Sequence, residues 1–374
     1  MKIPKTSDIA GIINKIAPAV LAESWDNPGL QVGDPVAEVR RIMVALDPTP
    51  DVINSAVAAS CQLLVTHHPL IFKPLKSIST ATPQGSLIHT AIKGGLSIIS
   101  MHTNYDIATG GLNDLLARKI GLSASVPLQI STSRELVKLI VFVPAGHLEV
   151  VRNALFPHIH SLGNYRDCSF AASGEGTFLP LEGAEPFIGT VGTRQKVSEE
   201  RLELLVERTN LSRAIKALLS SHPYEEPAYD LYPLLNDGEK LGLGRIGRLP
   251  ETLSLAEYAG QIKAALFAPG LRYVGDPAAR ISKVALCSGS GASLLREAAR
   301  AGADLLVTGD VKYHEARDAQ DLGIALIDAG HFPTEIIMVA AIVEQLGRAL
   351  AEAGCGECQI LPCCVENDPF RIQI

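Results

Sequence analysis

The chain has 374 residues, 47% of them hydrophobic and 20% charged, which is enough to bury large cores and too long for one small domain. Its net charge of −7 leaves no basic surplus to neutralise phosphates, which argues against general nucleic-acid binding. The opening residues carry no apolar signal core and no run of about 18 apolar residues follows, so a cytoplasmic location away from membranes is expected.

In chain order, Ile42 to Asp47 (IMVALD) reads as a buried strand and Asp51 to Ser60 as a helix, with Asp51 favouring its N-terminus. Gln62 to Thr66 (QLLVT) is a second strand. Ser86 to Lys93 is a helix stopped by Gly94-Gly95, and Leu96 to Ser100 is a third strand. Continuous apolar strands separated by helices predict an α/β lobe with strands buried on both faces.

A different segment follows, 127–248, bounded by Val126-Pro127 and the Gly/Pro-rich 242–250 stretch. Val137 to Val143 is a strand, Gly146 to His158 a helix, and 165–178 strand material. Leu202 to Val206 is a strand, Leu211 to Ser221 a helix, and Ala228 to Pro233 a strand. That order predicts an inserted ferredoxin-like α+β domain between a lobe of residues 1–126 and a second of 249–374.

The last segment repeats the first. Strands at Lys283 to Cys287, Asp304 to Thr308 (DLLVT) and Ile324 to Asp328 (IALID) alternate with helices at Ala292 to Ala301 and Tyr313 to Leu322. The recurrence of Leu63-Leu64-Val65-Thr66 as Leu305-Leu306-Val307-Thr308, in matching element order, predicts an internal duplication. Gly289-Ser-Gly291 reads as a tight turn into a helix, and the absence of GxGxxG after the first strand sets aside a Rossmann dinucleotide site.

Of seven cysteines, Cys61, Cys168 and Cys287 sit in apolar runs and read as small core residues. Cys355, Cys358, Cys363 and Cys364 crowd the C-terminus. Their spacing does not suit a zinc ribbon or finger, and reduced thiols are expected, with metal binding or disulfides left open.

In α/β sheets, ligands bind beyond the carboxyl ends of the strands. QLLVT runs into His67-His68-Pro69, and LSIIS into Met101-His102-Thr-Asn-Tyr-Asp106. DLLVT runs into Gly309-Asp310, and IALID into Ala329-Gly-His331-Phe-Pro-Thr-Glu335. Adjacent strand residues face opposite ways, so an isolated His-His pair reads first as one buried and one exposed ring. Pro69 ends the ladder, which lets both turn into one crevice. Pro333 belongs in a first helical turn and puts His331 and Glu335 on one side of it. Asp106 alone would read as a cap. Together, His67, His68, Asp106, His331 and Glu335 supply three imidazoles and two carboxylates. That mixture suits Zn²⁺, Mn²⁺ or Fe²⁺ better than Ca²⁺ or Mg²⁺. Five donors exceed what one zinc takes, so a dinuclear centre that clamps a phosphate or activates a water is expected. His102 and His314 are candidates for backing a ligand or transferring a proton, and Asp310 for orienting a ligand or capping a strand.

These motifs carry a resemblance. Glu23-Ser-Trp-Asp-Asn-Pro-Gly-Leu-Gln-Val-Gly33, Thr66-His-His-Pro-Leu-Ile-Phe72, His102-Thr-Asn-Tyr-Asp106, Thr308-Gly-Asp-Val-Lys-Tyr-His314, Asp328-Ala-Gly-His-Phe-Pro-Thr-Glu335 and Asp368-Pro-Phe370 resemble the Nif-three-like family of dinuclear metal centre proteins, also called GTP cyclohydrolase 1 type 2 homologues. Ser221-His222-Pro-Tyr-Glu-Glu-Pro-Ala-Tyr-Asp230 and Gly242-Leu-Gly-Arg-Ile-Gly247 resemble the PII/CutA-like insert of its longer members. The resemblance implies two metal ions on the same five residues, a two-lobed α/β fold and a toroidal homohexamer with the inserts as trimeric lids. The C-terminal cysteines depart from the pattern. Two functions follow as expectations: a metal-dependent hydrolase of phosphate- or nucleotide-type substrates, or a non-catalytic metal-handling or regulatory hexamer whose insert senses a small ligand.

Overall fold

The structure, a computed structural model, describes residues 3–373 and is mixed α/β. Two compact units result, Met1–Ser131 with Leu241–Ile374, and Thr132–Lys240. The boundaries expected at 126/127 and 248/249 fall inside two long strands, Ser123–Ser133 and Lys240–Ser254. Pro127 is tolerated because Ser123–Ser133 is an edge strand that needs no full set of donors. Gly242 permits close backbone approach: a Cβ there would lie 1.9 Å from the Gln129 carbonyl oxygen.

The first unit contains two sheets. In one, Arg41–Ala45, Leu63–Thr66 and Ser97–Ser100 run parallel; Gly29–Val32 pairs antiparallel beside Ser97–Ser100, and Gln359–Pro362 pairs parallel beside Arg41–Ala45. In the other, Arg280–Leu286, Leu305–Thr308 and Ala325–Asp328 run parallel. Arg272–Val274 is antiparallel beside Ala325–Asp328, and Lys240–Ser254 antiparallel beside Arg280–Leu286.

The predicted duplication is visible in this topology. Each half has an antiparallel strand next to the third of three parallel strands, with Leu-Leu-Val-Thr as the middle one. The side-chain alternation is also shared. Leu63 and Val65 enter a core with helices Thr6–Ile16 and Ile337–Glu352, while Leu64 faces helices Pro50–Ala58 and Pro83–Lys93. Leu305 and Val307 pack with helix Leu255–Ala265, while Leu306 faces helices Leu295–Arg300 and Tyr313–Leu322. Both sheets are covered on both faces, as continuous apolar strands require. The antiparallel strands Gly29–Val32 and Arg272–Val274 escape sequence periodicity because they are short and partly exposed.

The second unit has the order β-α-β-β-α-β. Leu136–Pro144, Ser169–Phe178, Gln195–Glu207 and Tyr229–Pro233 form one antiparallel sheet. Helices Leu148–Leu155 and Leu211–Ser221 bury Val151, Leu155, Ala214 and Leu218 on one of its faces, against Leu139, Val141, Leu202 and Leu204. This is the element order of a ferredoxin-like unit.

Cys61, Cys287 and Cys355 are buried, whereas Cys168 is only half-buried, contrary to the core role expected of it. Cys358 and Cys363 pack at the margins of two cores. All seven thiols are free, and among the described residues no potential metal-binding group includes a cysteine.

Leu64 and Leu306 occupy equivalent, fully buried positions. Leu64→Ala and Leu306→Ala should each cost about 2–5 kcal/mol, read as a lowered melting temperature, while Leu→Ala at the exposed Leu235 should leave it unchanged.

Candidate metal centre

The ladder of the Leu63–Thr66 strand ends one residue before the two histidines. The Thr66 hydroxyl donates to the His68 carbonyl at 2.8 Å, while the His67 and His68 amides donate to the Leu46 carbonyl. Freed from strand alternation, both rings turn into one cleft, their centroids 5.1 Å apart.

His67 is fully buried. Its Nδ1 lies 2.8 Å from the Met101 carbonyl, which can only accept, so Nδ1 carries the proton and Nε2 presents a lone pair. That Nε2 is buried without a hydrogen-bond partner, 3.8 Å from both Asp106 Oδ1 and Glu335 Oε1. Burial above all lowers the His67 pKa to about 3, which keeps the ring neutral.

Glu335 lies in the short helix His331–Glu335, with Pro333 in its first turn as expected. Its Oε2 is 3.2 Å from His68 Nε2 and 3.0 Å from His331 Nε2, and the two Nε2 atoms are 3.4 Å apart. Burial opposes the charge on Glu335, but His67, His331 and His68 outweigh it and hold the carboxyl below the ordinary range. Asp106 is moved the other way, well upward, by burial and by the Glu335 charge. Ser288 Oγ lies 3.4 Å from Asp106 Oδ1. The five residues predicted as donors therefore meet in one place.

Each outer imidazole is backed by an aspartate. His68 Nδ1 donates to Asp47 Oδ1 at 2.7 Å, His331 Nδ1 to Asp310 Oδ2 at 2.7 Å, and His102 Nδ1 to Asp26 Oδ1 at 2.8 Å. A carboxylate on Nδ1 fixes the tautomer and directs Nε2 into the cleft, the arrangement that supports metal-ligating histidines. Asp310 adopts a left-handed φ of 55° to reach His331. The donor atoms fall into two tight groups, His67-His68-His102 and His68-His331-Glu335, either of which could hold a metal ion. His102 thus stands closer to the donors than expected. His314 does not reach the cleft: it is exposed on the first turn of its helix, with its ring against Tyr313.

Asp26, Asp47 and Gly289 are the residues that sequence reasoning missed. A Cβ on Gly289 would lie 2.1 Å from Glu335 Oε1 and 3.1 Å from His331 Nε2, so the Gly289-Ser-Gly291 turn makes room for the carboxylate. Asp26 sits within the Glu23–Gly33 motif, which was the one available signal. Asp47 ends the first apolar run with no spacing that ties it to His68.

A neutral, buried imidazole with an unused lone pair, beside buried carboxylates and carboxylate-backed rings, fits divalent cations. The model of the Duf34/NIF3 (NGG1p interacting factor 3) family matches residues 4–369. The chain belongs to this family. The "GTP cyclohydrolase 1 type 2 homolog" of Halalkalibacterium halodurans is 42% identical over 371 residues, 99% of each chain. The protein of that name in Bacillus subtilis is 40% identical over 330 residues, 88% of each. A crystal structure of a Bacillus cereus protein related to NIF3 superposes with a TM-score of 0.93 at 38% identity, covering 100% of both chains. Among the described residues, no helix is long and apolar enough to cross a membrane.

Three predictions follow from the geometry. Without metal, His331 is raised to about 9, by Glu335 above all; His68 is raised to about 10, because Asp47 and Glu335 overcome its burial. Both rings are then charged at pH 7. Their stabilising effect is complete below the ordinary value of 6.5 and is lost as pH rises through 9 to 10. A metal must expel those protons, so calorimetry in buffers of different ionisation enthalpy should show proton release at pH 7 and affinity rising with pH. Asp47→Asn should weaken metal binding by roughly 10–100-fold. Gly289→Ala should lower metal content in elemental analysis while far-ultraviolet circular dichroism stays native.

Proposed function

We propose that the chain holds two divalent ions, Zn²⁺, Mn²⁺ or Fe²⁺, through His67, His68, Asp106, His331 and Glu335, and hydrolyses a phosphate- or nucleotide-type substrate. The observation that carries this reading is the Glu335 carboxylate, buried among three imidazoles from two distant segments. Ions bound there supply Lewis-acid activation of water and of a substrate oxygen. The protein's own part is orientation and proton handling. Asp47 and Asp310 hold His68 and His331 in their ligating tautomer. His102, braced by Asp26, would receive or return a proton at its Nε2. A cavity of about 700 Å³ opens at His68 and His331, with Leu271, Arg272, Phe332 and Phe370 on its walls, and gives a substrate phosphate access to the imidazoles. The name of the curated relatives supports a nucleotide substrate.

A second reading, a non-catalytic regulatory hexamer with a ligand-sensing PII/CutA-like insert, is favoured by one separate feature. The inserted unit has its own cavity of about 930 Å³, lined by Phe142, Phe178, Phe187 and Tyr224. Both readings place a homohexamer in the cytoplasm. Protein loaded with Mn²⁺, Zn²⁺ or Fe²⁺ should turn over GTP or simple phosphoesters in a metal-dependent manner, and His68→Ala should fall to background. Full metal content with no turnover above the His68→Ala variant would overturn the hydrolase and leave the second reading.

A further inference from the structure

We infer that Trp25 and Phe72 form a stacking platform that recognises a planar heterocyclic ring on the substrate; this rests on the metal-centre reading above. The two side chains are 56% and 43% exposed, unusual for large aromatic residues beside a buried polar site. Their ring centroids are 5.7 Å apart with planes tilted by 41°. Both stand against His102, at 5.9 and 6.2 Å, and the His102 ring is in turn 5.1 Å from His67 and 5.5 Å from His68. The aromatic lip begins where the imidazole cluster ends.

Polar bridges hold the lip in place. Asn27 Nδ2 donates to the Ile71 carbonyl at 2.7 Å, the Ile71 amide donates to Gln31 Oε1 at 3.0 Å, and Gln31 Nε2 donates to the Asn27 carbonyl at 2.6 Å. These bonds tie the loop carrying Trp25 to the loop carrying Phe72. On the other side the Glu23 amide donates to Thr103 Oγ1 at 3.0 Å, and Asp26 accepts from both His102 and the Thr103 amide. The Trp25 loop is therefore fastened to the short helix Thr103–Ile107 that carries Asp106. The geometry of the site thus extends outward: the Glu23–Gly33 motif supplies one residue, Asp26, to brace His102 and a second, Trp25, to face solvent over it.

Exposed rings fixed in advance cost little ordering on binding, and their π faces accept any flat conjugated ring. An aliphatic phosphate offers nothing to stack. The chemistry that uses both parts is a planar heterocycle carrying an oxyanion, with the oxyanion at the metal centre and the ring on the lip.

Trp25 is the only tryptophan in the chain, so its emission reports the lip alone. Protein shown by elemental analysis to carry two Zn²⁺ per chain would be titrated with GMP and, as the ring-free counterpart, ribose 5-phosphate. GMP should quench Trp25 emission saturably and bind more tightly by calorimetry; ribose 5-phosphate should bind without quenching. Trp25→Leu and Phe72→Leu should each weaken GMP roughly ten-fold, within the range for loss of one stacked base, and leave ribose 5-phosphate unchanged. Trp25→Phe should retain most of the GMP affinity. Equal affinity for the two probes, or a GMP advantage that survives both leucine variants, overturns the platform and leaves the metal-centre reading standing. Failure of both probes to bind the metal-loaded protein overturns the oxyanion reading and the platform with it.

Discussion

Two carboxylates, Asp106 and Glu335, are buried within 3.8 Å of a single imidazole that has no other use for its lone pair. Burying charge and unpaired polar atoms is expensive unless something opposite in sign compensates. Most of the local architecture makes sense as a response to that constraint. Strand Leu63–Thr66 stops early so that two rings turn the same way. Gly289 forgoes a side chain, and Thr334 accepts the Gly289 amide so that the turn stays pressed against Glu335. Burial and the Glu335 charge push Asp106 upward, while the surrounding imidazoles pull Glu335 down, so Asp106 is the carboxyl that more readily keeps a proton.

The duplication explains how one cleft receives donors from distant segments. After the third parallel strand of the first half comes a five-residue helix, Thr103–Ile107, with His102 just before it and Asp106 four residues further on. After the third strand of the second half comes another, His331–Glu335, with imidazole and carboxylate again four residues apart. Each imidazole is backed on Nδ1 by an aspartate from elsewhere, Asp26 in one case and Asp310 in the other. The halves diverge after the middle strand, where Thr66 leads into His67-His68 and Thr308 into Gly309-Asp310. One half supplies two imidazoles to the cleft there, the other a residue that orients a ring.

This pattern also accounts for what was legible in the sequence. The five donors were readable because they sit at the ends of continuous apolar strands, where chain order alone predicts a shared crevice. The central strands and most of the helices that cover them were readable from apolar runs and stops. The bracing residues were not: Asp47 and Asp26 act on histidines 21 and 76 residues away, and no local periodicity encodes a contact across loops. His314 misled because it follows a strand end like the others, yet it begins a helix whose first turn faces water. The terminal cysteines, expected as reduced thiols, are free. Gln359–Pro362 adds a parallel strand to the first sheet, and Cys355, Cys358 and Cys363 fill space around it as small apolar side chains do.

The charge count bears on how many ions the cleft takes. Asp26, Asp47, Asp106, Asp310 and Glu335 all touch the imidazole cluster, either directly or through Nδ1. A single divalent ion offsets two of these five charges and leaves the buried Asp106 and Glu335 competing for it. A second ion would bring the cluster close to neutrality; the one free lone pair of His68, which both tight donor groups share, would then serve only one of the two. An anionic substrate then meets a nearly balanced site rather than a strongly negative one, and its affinity depends on direct contact with the ions instead of long-range attraction. Such a site discriminates poorly among anions, which is why a ring-recognising surface outside the donor cluster, fixed by its own hydrogen bonds, is where selectivity would have to reside.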